Sequence, residues 1–177
     1  VGSFQWSPDG TRFAYTMTDP KTEEEKKADK EKRDVILVDQ NFKNAHLYVV
    51  SLAKDAEGKR EATRLTEGAF SVTGFDWTPD GAALVFAHQP DPRINTSRLS
   101  GDISVVRVAD RSLSPLVTGA GVESDPRVSP DGSTVAFVST GAKIEPIGLG
   151  DVHLVRLSGG APWALAQPPA GMRSCCA

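Results

Sequence analysis

The chain has 177 residues, 39% of them hydrophobic and 24% charged, with a formal net charge of −3. That length suits one domain and crowds two. The mild acidity gives no electrostatic case for nucleic acid or an anionic membrane as partner, and no apolar run approaches the length that spans a bilayer.

The first residue is Val1, and Val1 to Trp6 already reads as a strand. The chain is therefore expected to begin inside a longer protein, and a cytoplasmic or a periplasmic location both stay open. Sixteen glycines and 12 prolines imply many turns, and many turns in a chain of this size imply many short strands.

The first turn is Ser7-Pro8-Asp9-Gly10, and it recurs as Thr78-Pro79-Asp80-Gly81 and Ser129-Pro130-Asp131-Gly132. Proline presets φ at the second position, aspartate bonds nearby backbone, and glycine supplies the positive-φ position. Short apolar runs flank each copy: Phe4 to Trp6 and Phe13 to Tyr15, Phe75 to Trp77 and Leu84 to Phe86, Pro126 to Val128 and Val135 to Phe137. Each tetrapeptide thus reads as a hairpin tip. Trp6 and Trp77 align with Val128 and are expected to be core. The three aspartates are explained as turn residues.

After the first hairpin comes a charged run at 21–34, with six basic and six acidic residues and nothing apolar larger than Ala28. Thr22 with Glu25 forms a capping-box pattern. Glu23 with Lys27 and Asp29 with Arg33 are spaced as helical ion pairs. A short exposed helix, or a charged loop with helical leanings, is expected here. It serves either as a solvated decoration or as a flap over a channel mouth or a partner-facing surface.

A third strand follows in each repeat: His46 to Leu52, Asp102 to Val108 and Asp151 to Leu157. Four of its seven positions are apolar in all three copies, on both faces, as a strand covered on both sides requires. A weaker, more polar fourth strand comes next: Ala62 to Thr66, Leu113 to Val117 and Pro162 to Ala166. It suits an outer edge. Pro79 lies 71 residues after Pro8, and Pro130 lies 51 after Pro79; the charged run accounts for the difference. Four antiparallel strands per repeat, covered on both faces, describe a β-propeller blade.

The connection between second and third strands varies most between copies: 21–34, 87–101 and 140–150. All copies of one connection lie on one face of a propeller, so function is expected there. Arg93 and Arg98 in the second copy are the bases best placed for an anionic group such as a peptide carboxylate, against the plainer reading of ordinary surface arginines.

Catalytic signatures are absent from the sequence. It holds no G-x-S-x-G elbow, no HExxH, no Cys/His metal spacing and no phosphate loop. No catalytic, cofactor-binding or metal-binding residue is assigned, and no cofactor is expected. His46, His88 and His153 lie in different repeats and read as structural or surface residues. Cys175 and Cys176, the only cysteines, are adjacent near the end and read as a free tail.

The segment from Trp6 to Tyr15 resembles the WD40-like PD40 repeat of TolB-type propellers. The longer arrangement runs from that turn through Thr18 to Lys27 and Asp34 to Asp39, ending at His46 to Val50. It resembles the N-terminal propeller of prolyl oligopeptidase-type serine peptidases, the S9 group that includes acylaminoacyl and dipeptidyl peptidases. The resemblance implies a ring of about seven or eight blades over an α/β-hydrolase domain that holds the catalytic triad. In that arrangement the propeller admits short peptides and excludes folded proteins. The hydrolase domain has no counterpart in these residues, so no catalytic position can be carried over.

The expectation is an all-β chain: a propeller segment of about three four-stranded antiparallel blades over 1–170, with a short charged helical insertion in the first. Blade 1 spans about 1–68, blade 2 about 69–119 and blade 3 about 120–168, with an unstructured tail at 171–177. Its expected function is the non-catalytic part of a serine peptidase that gates peptide access. Its partners would be the hydrolase domain of the same protein and, through the complete protein, a peptide substrate. The alternative is a TolB-like protein-interaction module. Three blades fall short of the four to eight that close known rings.

Overall fold

Turn chemistry sets the frame. In the computed structural model, which describes residues 1–32, 42–141 and 150–165, each Pro-Asp-Gly corner is closed the same way. Ser7, Thr78 and Ser129 each donate a hydroxyl to the turn aspartate, at 2.5, 2.6 and 2.5 Å. The same hydroxyl oxygens accept the backbone N–H of Arg12, Ala83 and Thr134, which begin the return strands. Gly10, Gly81 and Gly132 take φ of +68°, +65° and +72°, where a side chain would be strained.

Each corner joins the first two strands of a four-stranded antiparallel sheet. Blade 1 comprises β1 (Phe4–Trp6), β2 (Arg12–Thr18), β3 (Ala45–Ser51) and β4 (Ala62–Arg64), with α1 (Glu23–Lys30) between β2 and β3. Blade 2 comprises β5 (Ser71–Trp77), β6 (Ala83–Gln89), β7 (Asp102–Arg107) and β8 (Leu113–Val117). Blade 3 comprises β9 (Glu123–Val128), β10 (Thr134–Ser139), β11 (Asp151–Arg156) and β12 (Trp163–Ala164). In each sheet neighbours in sequence are neighbours in space. The all-β architecture of three blades with one helix is as the repeat implied. The outer strands are shorter than the sequence suggested, three residues for β4 and two for β12.

The sheets bury both faces only where they meet. Between blades 1 and 2, Ala14, Leu47, Val49 and Leu65 pack against Phe75, Trp77, Leu84 and Phe86. Between blades 2 and 3, Val85, Ala87, Ile103 and Val117 pack against Val135, Phe137 and Val155. Each fully buried Leu, Ile or Phe contributes about 1.5–3 kcal/mol of transfer free energy, so these two layers hold the molecule together. Polar contacts add register. Val128 N–H of β9 bonds Asp76 Oδ2 of β5 at 2.8 Å, and Gly101 bridges to Val122.

Two expectations need correction. Trp77 is buried in the blade 1–blade 2 layer, but Trp6 is exposed, because the face of blade 1 that carries it has no sheet against it. The helix forms with the expected capping box: Glu25 N–H bonds Thr22 Oγ1, and Thr22 N–H bonds Glu25. The Glu23 ion pair differs from the expected one. Glu23 takes Lys26, three residues on, at 2.6 Å instead of Lys27, and Asp29 takes Lys21 at 2.6 Å. Positions three and four apart are both neighbours on a helix surface, and such exposed pairs differ little in free energy. Arg33 and with it the expected Asp29–Arg33 pair, the segment 34–39, most of the third connection, and the tail with Cys175 and Cys176 lie outside the described residues.

Candidate functional site: the face of the variable connections

Antiparallel order places α1, the loop after β6 and the links that carry the chain from blade to blade at one end of the sheets. The Pro-Asp-Gly corners lie at the other end. The connection end therefore gathers the sequence variation, and it also holds all three histidines.

The charged helix is fastened to this end. Lys43 Nζ, just before β3, meets Glu25 at 2.8 Å, so the capping carboxylate also ties α1 to its own blade. Both partners hold Glu25 below the ordinary carboxylate range, the Lys43 bond first and the Thr22 amide second. Arg93 comes from the loop after β6 in blade 2. Its guanidinium forms a two-point bond with Asp91, at 3.0 and 2.7 Å, and lies 5.2 Å over the Phe42 ring of blade 1. That bond pulls the Asp91 carboxyl far below its usual value. Arg98 ends a short 3-10 turn, Thr96–Arg98, in the same loop. Both sequence-chosen arginines thus lie in one loop, and Arg93 joins the connections of two blades.

The repeat register gave no reason for the histidines to converge, yet two of them do. The Phe70 ring, in the link from blade 1 to blade 2, contacts His46 at 5.5 Å and His88 at 5.0 Å. His153 stays in blade 3 against Phe137 at 5.8 Å. His46 is fully buried. Its Nδ1 lies 3.3 Å from Thr66 Oγ1, and its Nε2 lies 3.6 Å from Asp19 Oδ2. Arg64 closes the group with a 3.1 Å contact to Asp19. The alignment of carboxylate, imidazole and hydroxyl suggests a proton relay, but its surroundings show a structural lock. Thr66 is buried and its oxygen already accepts the Leu47 N–H at 2.9 Å, so no substrate reaches it. Burial pushes both His46 and His88 below the ordinary imidazole value and so favours their neutral form. His88 Nε2 meets Ser104 Oγ at 2.9 Å beside a cavity of about 150 Å³ floored by Phe70 and Phe86.

A second buried group sits between blades 2 and 3. Glu123, at the start of β9, accepts the Ser139 hydroxyl at 3.1 Å. Gly119 approaches so closely that a Cβ there would lie 2.6 Å from Glu123 Oε1. Burial raises the Glu123 carboxyl above its ordinary value, against the opposing pull of the Ser139 bond. The inner strands also kink. The ladder slips between Val72 and Gly74 in β5, and opposite Phe137 in β9, where Asp125 takes φ +50° and pairs with Arg127 at 2.8 Å. Such bulges re-aim side chains at sheet edges. Sequence reasoning assigned no site role to Asp19, Thr66, Phe70, Glu123 or Ser139, because each acts through a neighbour distant in sequence.

Among the described residues no group of three or more His, Cys, Asp or Glu is placed to hold a metal ion, and no helix is long and apolar enough to cross a membrane. The arrangement can bind through loops and a charged helix.

No protein-family model and no curated protein matches the chain. Solved structures do. A TolB-type protein from Agrobacterium tumefaciens is 27% identical over 91% of this chain and 47% of its own, with a TM-score of 0.58. TolB from Acinetobacter baumannii is 18% identical over 93% of this chain and 32% of its own, at 0.53. A puromycin-hydrolysing peptidase from Mycobacterium tuberculosis is 18% identical over 93% of this chain and 23% of its own, at 0.57. The chain spans about half the length of the first and less of the others. What the three share with it is the fold, and the chain is a partial β-propeller of the kind found in TolB.

Proposed function

We propose that the chain is the non-catalytic propeller part of a serine peptidase of the prolyl oligopeptidase type, where it restricts peptide access to a hydrolase domain that these residues do not include. The observation that carries this reading is the insertion in blade 1. A capped, fully charged helix stands between β2 and β3, fastened by Glu25 and Lys43 to the end where the connections gather. That is the position the charged run occupies in the arrangement resembling the peptidase propellers. The fold shared with the Mycobacterium tuberculosis peptidase agrees with it.

Access control asks for a rigid wall with a selective rim. The two apolar layers supply rigidity, and the helix and the Arg93 loop supply the rim. The test uses the full-length polypeptide. It is expected to cleave a short aminoacyl or dipeptidyl reporter and to spare the same bond inside a folded protein, while the 177-residue chain alone turns over neither. Turnover by the 177-residue chain with every serine changed to alanine would overturn the reading.

A TolB-type interaction module is the second reading, favoured by the 27% identity to the Agrobacterium protein. The coding sequence downstream separates the two. A G-x-S-x-G followed by Asp and His supports the peptidase, and a stop after a few more blades supports the module.

A further inference from the structure

Blade 1 covers only part of the blade 2 face that meets it, because its outer strand β4 is three residues long against five in β8. Two adjoining hollows result, with Leu113 of β8 in the wall of both. One is the cavity of about 150 Å³ beside His88. The other is a cleft of about 440 Å³ between residues 64–67 of blade 1 and the β7–β8 turn of blade 2.

Their chemistry differs. The smaller is aromatic: the Phe70 ring lies 6.1 Å from Phe86 and 5.0 Å from His88, and the bond between His88 and Ser104 already pairs its polar side chains. An apolar cavity of about this volume holds a benzene-sized group, so it suits one leucine or phenylalanine side chain. The larger is ringed by charge, with Arg64 and Arg111 against Glu67 and Asp110. Asp19 meets Arg64 at 3.1 Å, and the Ser112 N–H and hydroxyl bond Asp110 at 3.0 and 2.7 Å. Among the described residues neither Arg111 nor Glu67 has an ion-pair partner. One cation and one carboxylate therefore remain to face a ligand.

Arg111 holds its place against the preference of its backbone. It takes φ +60°, whereas the same turn in blades 1 and 3 places Gly58 at +75° and Gly160 at +125°. A non-glycine residue kept in the left-handed region points to a use for its side chain. Nor does the blade pattern demand this chemistry. In repeat register the blade 2–blade 3 junction has Leu116, Gly119, Gly121 and Gly160 where this one has Arg64, Glu67, Phe70 and Arg111.

We propose that this groove binds a short peptide with both termini free and one apolar side chain. The side chain enters the cavity of Phe70 and Phe86, the carboxylate meets Arg111, and the ammonium meets Glu67. A zwitterion of net charge zero fits a cleft lined by two bases and two acids, and the space is that of a small-ligand site. Neither Arg93 nor Arg98 lines the groove. The inference thus goes beyond the access-control reading and holds for either parent.

NMR titration of the 177-residue chain, followed at the amides of Phe70, His88 and Leu113, tests it with four probes. Glycylleucine is expected to bind. N-acetylglycylleucine, without the ammonium, and glycylleucinamide, without the carboxylate, should each bind about fivefold more weakly, the upper weight of an exposed ion pair. Glycylglycine, without the apolar side chain, should bind roughly tenfold more weakly. Arg111→Gly supplies the turn residue that the other blades use, so the fold is kept. It should abolish the preference for glycylleucine over glycylleucinamide and keep the preference over N-acetylglycylleucine; Glu67→Gln should do the reverse. Glycylleucine binding no tighter than glycylglycine overturns the proposal. So do charge preferences that survive both substitutions, or the absence of any shift at these amides. No peptidase assay enters, so failure here is separate from failure of the functional reading.

Discussion

Arg12 reaches from the first strand after the blade 1 corner to the Gly81 carbonyl at the blade 2 corner, donating Nη2–H at 2.8 Å. Its guanidinium also lies 5.3 Å over the Trp77 ring. One side chain thus pins two corners and covers the edge of the buried layer between their blades.

Arg12→Met should keep the aliphatic stem and remove the bond and the cation–π contact. The loss is expected to be about 1–2 kcal/mol, read as a lower urea midpoint with an unchanged slope. Arg12→Lys should recover only part of it, since an ammonium cannot both bond the carbonyl and lie flat on the ring.

Equivalent tryptophans should respond unequally. Trp77→Ala opens a cavity in the blade 1–blade 2 layer and should cost about 3–5 kcal/mol. Trp6→Ala should cost under about 1 kcal/mol in the 177-residue chain, because its face is open to water. Thermal unfolding of both variants checks the contrast.

The buried titrating groups act in opposite directions. Glu123 has a carboxyl raised above its ordinary 4.5, chiefly by burial and also by nearby Asp102, so its stabilising share is lost as pH rises from there through the raised value. His46 and His88 sit below their ordinary 6.5, chiefly through burial, so their share is present above 6.5 and lost as pH falls through the lowered values. Between about 4.5 and 6.5 the effects oppose each other. Glu123→Gln should leave the histidine effect alone, and stability should climb with pH in that window more steeply than in the parent chain. Urea midpoints taken across the window would show it, and parallel profiles would count against a buried Glu123.

The Arg93 loop can be probed through substrate choice. In the full-length polypeptide, Arg93→Gln with Arg98→Gln should raise KM roughly tenfold for peptides with a free carboxylate, the weight of one charge-assisted bond. Amidated peptides and kcat should be unaffected. An equal rise for both peptides would assign the arginines a purely structural part, which the Asp91 and Phe42 contacts of Arg93 already give it.

Local chemistry was legible in the sequence. Ser7, Thr78 and Ser129 close their corners as those residue types do, and Thr22 with Glu25 caps α1 as their spacing requires. The blade pattern followed from strands apolar on both faces. Contacts between blades were not legible. Nothing near Arg12 in sequence points to Gly81, and nothing near Phe70 points to both His46 and His88. Trp6 was misjudged for the same reason: its register matches Trp77, but burial depends on what stands against the sheet. Arg93 and Arg98 are candidates chosen by residue type and position in a variable loop, whereas the Asp91 and Phe42 contacts that orient Arg93 appear only in the folded chain.

Stacking of separate sheets is the claim on which the rest stands, and one amide reports it. The Val128 N–H of blade 3 is held by the Asp76 carboxylate of blade 2 at 2.8 Å. Native-state hydrogen exchange should show Val128 protected in the parent chain and at least tenfold less so in Asp76→Ala, with the amides paired inside β10 and β11 little changed. Val128 exchange that ignores the loss of Asp76 would mean that the blades do not meet there.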